Sequence, residues 1–293
     1  MHKYLRAVGF SQMKRKKELK SYVKEIVKKP DFTQISQIEG EDIFAQIYKE
    51  YAPNMGIMVC GLINEKDEFE LEYYYPVFWG SGITSREDII VEQQAEKEAY
   101  LGVCEDVKVG VSLIFYLQNV CQYKNEKDLH PIKGLAEDTT MSALSISGKI
   151  LFPIDKTKQQ IEYTKRATEN RNQLIEAARR GDEDAIESLT LEDMDTYSMI
   201  SRRILQEDVL SLVDNYFMPY GVECDKYSIM GEILNVELVQ NKDSKEMIYI
   251  LKVNTNDLIF DICINASDLL GEPAIGRRFR GTIWLQGKIN YKQ

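Results

Sequence analysis

The sequence predicts an α+β protein in three parts, and three observations carry that reading. Before Asp155, short β-branched and aromatic runs are separated by turn residues. After Asp155 an apolar period of 3.6 residues takes over, and Pro and Gly become scarce. From Ser228 onward β-type runs return at close spacing. Residues 1–155 are therefore expected to form an α+β domain with a mostly antiparallel sheet and one or more helices. Residues 156–218 read as a helical connector, and 219–293 as a small OB- or SH3-like β barrel.

Composition bounds the function classes. A chain of 293 residues with 44% hydrophobic and 29% charged content can bury a sizeable core. The net charge is −10, which disfavours general binding to phosphate backbones. The charge is uneven: Met1 to Pro30 holds ten Lys/Arg and two Glu, whereas Asp31 to Asp155 holds nine basic and 22 acidic residues. The basic head is expected to fold onto the acidic body. The five cysteines have no C-x-x-C spacing and read as reduced thiols of a cytoplasmic protein. Cys60, Cys104 and Cys263 fall in strand-like runs and are expected to be buried. The N-terminus lacks the apolar core of a signal peptide, and the longest uncharged run, Val109 to Tyr123, is too short and polar to span a bilayer.

Taken in order, Ser11 is expected to cap a helix from about Lys14 to Lys28. Leu19, Tyr22, Val23, Ile26 and Val27 form its apolar stripe, and Lys16, Lys17, Lys20, Lys24 and Lys28 lie mostly off it. Pro30 stops it. Ile43 to Tyr51, Gly56 to Ile63 and Glu68 to Phe78 read as an antiparallel meander. In the third run Glu68, Glu70 and Glu72 alternate with Phe69, Leu71 and Tyr73, the pattern of one wet face. Ile89 to Gln94, Lys97 to Val103 and Lys108 to Asn119 read as further strands, with a helix across Glu92 to Tyr100 as the alternative. Asn125 to Leu135 reads as a polar loop. Thr139 to Ile146 and Lys149 to Ile154 read as a hairpin about Ser147-Gly148. In the connector Gly181 ends one helix and Asp182 starts a short second one, and Thr190 to Asp193 resembles a capping box opening a third. Glu207-Asp208 is a further expected break. Strands are then expected over Ser228 to Val239, Met247 to Val253, Ile259 to Ile264 and Arg278 to Leu285, with one helical turn over Ser267 to Gly271.

Five patches in this order carry a resemblance: Leu5 to Phe10, Gly148 to Pro153, Ala178 to Asp182, Phe217 to Gly221 and Gly281 to Gly287. Together they resemble an uncharacterised family of cytoplasmic proteins from anaerobic Firmicutes, a domain of unknown function. The resemblance spans nearly the whole chain. It implies a bacterial cytoplasmic protein, and it carries over no functional residue.

Chemistry-bearing motifs are sparse. His2 and His130 are the two histidines, so Ser-His-Asp, Cys-His and zinc arrangements have little to draw on. No catalytic residue, metal or cofactor is expected. The acidic pairs, such as Glu105-Asp106 and Glu207-Asp208, read as solvated turns and helix starts. Two clusters remain as candidates for binding. Arg278, Arg280 and Trp284 share one face of the last strand, and Tyr74 and Trp79 lie in the densest aromatic patch. The sequence thus predicts a non-enzymatic binding or interaction protein with a protein partner and no membrane. The alternatives are single-stranded nucleic-acid binding through the barrel and an enzyme with a pocket near Tyr73 to Trp79. Within the first reading, the arginines are expected to pair with acids of the connector, and Trp284 to be core between the two β regions.

Overall fold

The computed structural model describes all residues except 1, 14, 38–42, 95–97, 107–108, 110, 130–135, 155–157, 204–212 and 292–293. The architecture is α+β, with a four-stranded antiparallel sheet and a larger sheet that closes into a five-stranded barrel. His130 and Glu207-Asp208 lie outside the described residues.

The chain opens with a 3-10 segment, Lys3–Val8, and helix α1, Lys16–Lys28. Leu19, Val23 and Ile26 are buried on the first sheet, and Lys17, Lys20, Lys24 and Lys28 are exposed. The basic face is thus the solvated side of a docked helix. Ser11 does not cap α1. Arg15 holds that position without a side-chain cap, because the Ser11 hydroxyl is taken by Glu246 of the barrel at 2.9 Å. Strands β1 (Phe32–Gln37), β2 (Ile43–Ala52), β3 (Met55–Ile63) and β4 (Phe69–Phe78) form the first sheet in that order. The alternation expected in β4 is broken by a bulge. Cys60 faces Tyr73 while Gly61 faces Leu71, so Glu72 is an extra residue and Leu71 turns outward, 44% exposed.

Strands β5 (Ile89–Gln93), β6 (Tyr100–Cys104) and β7 (Leu113–Leu117) follow. The strand expected to reach Asn119 stops at Leu117, and helix α2, Val120–Leu129, takes the start of the loop expected over Asn125 to Leu135. Asn119 explains the switch. Its side-chain amide donates to the Ile289 carbonyl at 2.8 Å and accepts from the Ile289 N–H at 3.1 Å, replacing the ladder as the backbone turns away. Strand β8, Ala136–Leu151, runs straight through the hairpin expected at Ser147-Gly148. Gly148 serves close packing here and not a turn: a Cβ on it would meet the Phe279 ring at 2.5 Å.

Helices α3 (Lys158–Arg179) and α4 (Glu183–Arg203) form a hairpin about Gly181, whose φ of +88° suits a residue without Cβ. Asp182 accepts from the Ala185 N–H at 3.2 Å. The expected restart at Thr190 is absent. Thr190 instead donates to the Ile186 carbonyl one turn back, and α4 continues.

Strands β9 (Tyr216–Pro219), β10 (Lys226–Gln240), β11 (Met247–Thr255), β12 (Leu258–Asn265), β13 (Leu269–Leu270) and β14 (Arg278–Tyr291) complete the chain. The ring runs β8-β12-β11-β10-β14 and returns to β8. Only β12 and β8 are parallel within it. A three-strand meander whose third strand pairs in parallel with the closing strand is OB-type connectivity with the last strand placed first. Strand β8 precedes residue 155, so the barrel draws on both sides of that position. Leu251, Phe260, Ile262, Phe279 and Ile283 are fully buried around the ring. Cys60, Cys104, Cys121 and Cys263 are buried thiols, and Cys224 is exposed.

The two sheets meet across a buried amide seam. Gln118 donates to the Phe78 carbonyl at 2.7 Å and to Gln286 at 3.0 Å, and Gln286 donates to the Pro76 carbonyl at 2.9 Å. These bonds lock β4 and β7 against β14.

Candidate functional site

Strand β14 carries the site at its middle. Lys226, the first residue of β10, lies directly across from Trp284. Strand β7 joins β14 on the other side, with Tyr116 opposite Gln286. The loop from β9 to β10 brings Glu223, Cys224 and Asp225 to the same end of the barrel. The N-terminal segment closes over it, held by backbone and side-chain bonds from the barrel. Asn241 donates to the Val8 carbonyl at 2.8 Å, Asn265 to the Arg6 carbonyl at 3.2 Å, and Arg6 to Asp268 at 2.6 Å. His2, Lys3 and Tyr4 are thereby placed above Trp284.

Between these walls is a cleft of about 570 Å³, a size that holds a small organic molecule. Its floor is aromatic. The Trp284 ring centre lies 4.8 Å from that of His2, 5.3 Å from Tyr116 and 5.4 Å from Tyr4. Trp284 is 4% exposed, and its indole N–H donates to Asp225 at 2.6 Å, which fixes the ring.

The rim is charged. Lys226 is nearly buried and pairs with the exposed carboxylate of Glu223. The Lys3 ammonium sits 5.4 Å and that of Lys226 6.0 Å from the centre of the Tyr4 ring. Burial, then the neighbouring Lys226, pulls the Lys3 amine below the usual lysine range. Burial, then the Lys226 and Lys3 charges, lowers the His2 imidazole to about 4. His2 is therefore neutral at pH 7, and its Nδ1 is buried without a hydrogen-bond partner. Burial raises the Asp225 carboxyl against the opposing pull of the Trp284 bond. Burial and Asp225 raise the Cys224 thiol, so it is protonated and poorly nucleophilic at neutral pH. Among the described residues no group of three or more His, Cys, Asp or Glu is placed to hold a metal ion.

The residues singled out in the sequence separate in space. Trp284 is in the cleft floor. Tyr74 stands behind it, its hydroxyl accepting from the His2 backbone N–H at 3.2 Å. Arg278 and Arg280 lie toward the other end of the strand, Arg280 four residues and about 13 Å from Trp284. Arg278 is 8% exposed and donates to the carbonyls of Phe152 (3.0 Å) and Val213 (2.9 Å), with the Asp214 charge nearby. Arg280 is exposed and donates to the Tyr216 hydroxyl at 3.2 Å. Trp79 packs elsewhere, 6.0 Å from Tyr48 and 6.2 Å from Phe32. Sequence reasoning missed His2, Lys3 and Lys226. One signal was available: Glu223-Cys-Asp-Lys226 sets four reactive side-chain types in a row between a turn and a strand.

Fold and site together define an α+β protein with a closed five-stranded barrel and an aromatic-floored, lysine-rimmed cleft at one end. A family model described as "Domain of unknown function, E. rectale Gene description (DUF3881)" matches residues 5–287. The chain belongs to that family. No curated protein and no solved structure matches it. Among the described residues no helix is long and apolar enough to cross a membrane.

Proposed function

We propose that the protein is a non-enzymatic binder of a small molecule, which it holds in the cleft over Trp284. The carrying observation is the cleft itself: a fixed indole floor beneath polar groups that lack a full set of partners, His2 Nδ1 above all. The electrostatics favour binding over acid–base catalysis. His2, Cys224 and Tyr4 are displaced from the working range of a general acid or base near pH 7, whereas Asp225 and Lys3 shift toward it; of these two, Asp225 is held by the indole N–H and Lys3 is exposed on the rim. Reading the barrel as a nucleic-acid platform finds less support, because Arg278 donates inward to backbone carbonyls. The unpaired cysteines support a cytoplasmic location in anaerobic Firmicutes as part of the same proposal.

The chain has two tryptophans, so Trp79→Phe leaves Trp284 as the sole indole reporter. Titration of that variant with a library of ring-sized fragments is expected to give saturable changes in emission for a subset. A library that leaves the emission unchanged at millimolar concentration contradicts the reading.

A further inference from the structure

We propose that the outward face of helix α4 docks helix α1 of a second copy of this chain. The inference is independent of the cleft over Trp284.

Each of these helices buries one side and leaves the opposite side uncovered. In α4, Ala185 is buried and Leu189 half-buried on the inner side. At about 3.6 residues per turn the opposite side carries Leu191 and Met194, 57% and 63% exposed, with Ile186 at its border, 48% exposed. Three large apolar side chains together on one open helix face mark a contact surface. Glu183, Asp184, Glu187 and Asp195 surround them, all exposed. These four acids have no ion-pair partner among the described residues. Glu192 and Asp193, which lie off this face, take Arg171 instead.

Helix α1 is the counterpart. Leu19, Val23 and Ile26 are buried, and Lys17, Lys20, Lys24 and Lys28 form one exposed stripe on the opposite side. Those lysines also lack ion-pair partners among the described residues. Glu18 and Glu25 lie beside the stripe and not within it. Lys17 to Lys28 covers about 17 Å and Glu183 to Asp195 about 18 Å at the helical rise. The two faces therefore match in length and are opposite in sign. Lysine stems are apolar, so they cover Leu191 and Met194 while the ammonium groups reach the flanking carboxylates. At α3 the exposed Arg166 and Arg180 are already paired with Glu162 and Glu176 one turn away, so that helix does not compete. Within one chain α1 packs on β2 and β3 and α4 packs on α3. No ion pair joins α1 to α4 among the described residues, so their pairing takes a second copy. Every chain carries both faces, and reciprocal contacts about a two-fold axis close a dimer.

Sedimentation velocity on the full chain tests this. The parent is expected to dimerise at about 0.05 M salt, with a Kd about tenfold or more weaker at about 0.5 M. One variant carries Lys20→Glu and Lys24→Glu, the other Glu187→Lys and Asp195→Lys. All four positions are exposed, so both variants are expected to fold, as circular dichroism checks. Each alone is expected to be monomeric. Their equimolar mixture is expected to regain the dimer, because each reversed face then meets its complement. Leu191→Ser is expected to weaken association without changing charge. A parent that stays monomeric at about 100 μM in low salt overturns the inference, whether or not α1 instead carries it to anionic vesicles. A dimer that survives both charge reversals overturns it, and so does a mixture no more associated than its components.

Discussion

The start of strand β14, at Arg278, and its middle, at Trp284, are surrounded by the same kinds of residue and do different things. At the Arg278 end, guanidinium groups donate to the Phe152 and Val213 carbonyls and to the Tyr216 hydroxyl. Their donors are spent on the protein's own loops. Around Trp284, at the middle of the strand, two ammonium groups lie near the Tyr4 ring beside a cleft. Basic and aromatic residues on one strand face do not by themselves make a site. What separates the two regions is whether neighbouring backbone supplies acceptors. Arginine, with five donors in a planar fork, is well suited to bind carbonyls and stay structural. At Trp284, Lys226 is nearly buried against Glu223 and Lys3 is an exposed point charge on the cleft rim.

Substitutions in the two regions should therefore part in their effects. Trp284→Ala is expected to be the largest, about 3–5 kcal/mol of lost stability in urea unfolding together with loss of ligand response, because a nearly buried indole is removed from the cleft floor. Arg278→Met should cost about 1–3 kcal/mol by leaving carbonyls without donors. Ligand binding at Trp284 should be unchanged, and a Kd shifted more than a few-fold would break the contrast.

His2 provides a comparison in pH. Its folded pKa of about 4 lies below the ordinary imidazole value of 6.5. The unfolded chain then binds the extra proton first. The contribution of this group is fully present above pH 6.5, is lost as pH falls toward 4, and amounts to no more than about 3 kcal/mol. A proton NMR titration should show one imidazole with a midpoint near 4, and a midpoint near 6.5 for both histidines would contradict its burial. The smallest effect belongs to Arg280→Ala, expected within about 0.5 kcal/mol of the parent, since the side chain is exposed.

Much of the fold was legible because local pattern and tertiary role agree. The α1 stripe and the β2 and β3 runs each state their structure in adjacent residues. The misreadings occur where a residue serves a distant partner. Gly148 looks like a turn residue and is small because Phe279 packs on it. Asn119 looks like strand and ends one by pairing with Ile289. Ser11 looks like a cap and is bonded to Glu246. Closure of the barrel through β8 was illegible for the same reason, since it joins residues more than a hundred positions apart. The site was half legible. Trp284 stood out by type, whereas His2 and Lys3 gain their meaning only when the N-terminal segment is clamped over the barrel.

The most direct measurement is a ¹H–¹⁵N correlation spectrum of the full chain, recorded during titration with a fragment that quenches Trp284. The account predicts that the Trp284 indole N–H, released from or tightened on Asp225, shifts progressively with ligand while the Trp79 indole and the Arg278 and Arg280 Nε–H signals stay in place. Shifts concentrated on Arg280 and Tyr216, or on Trp79, with the Trp284 indole unmoved, would contradict it.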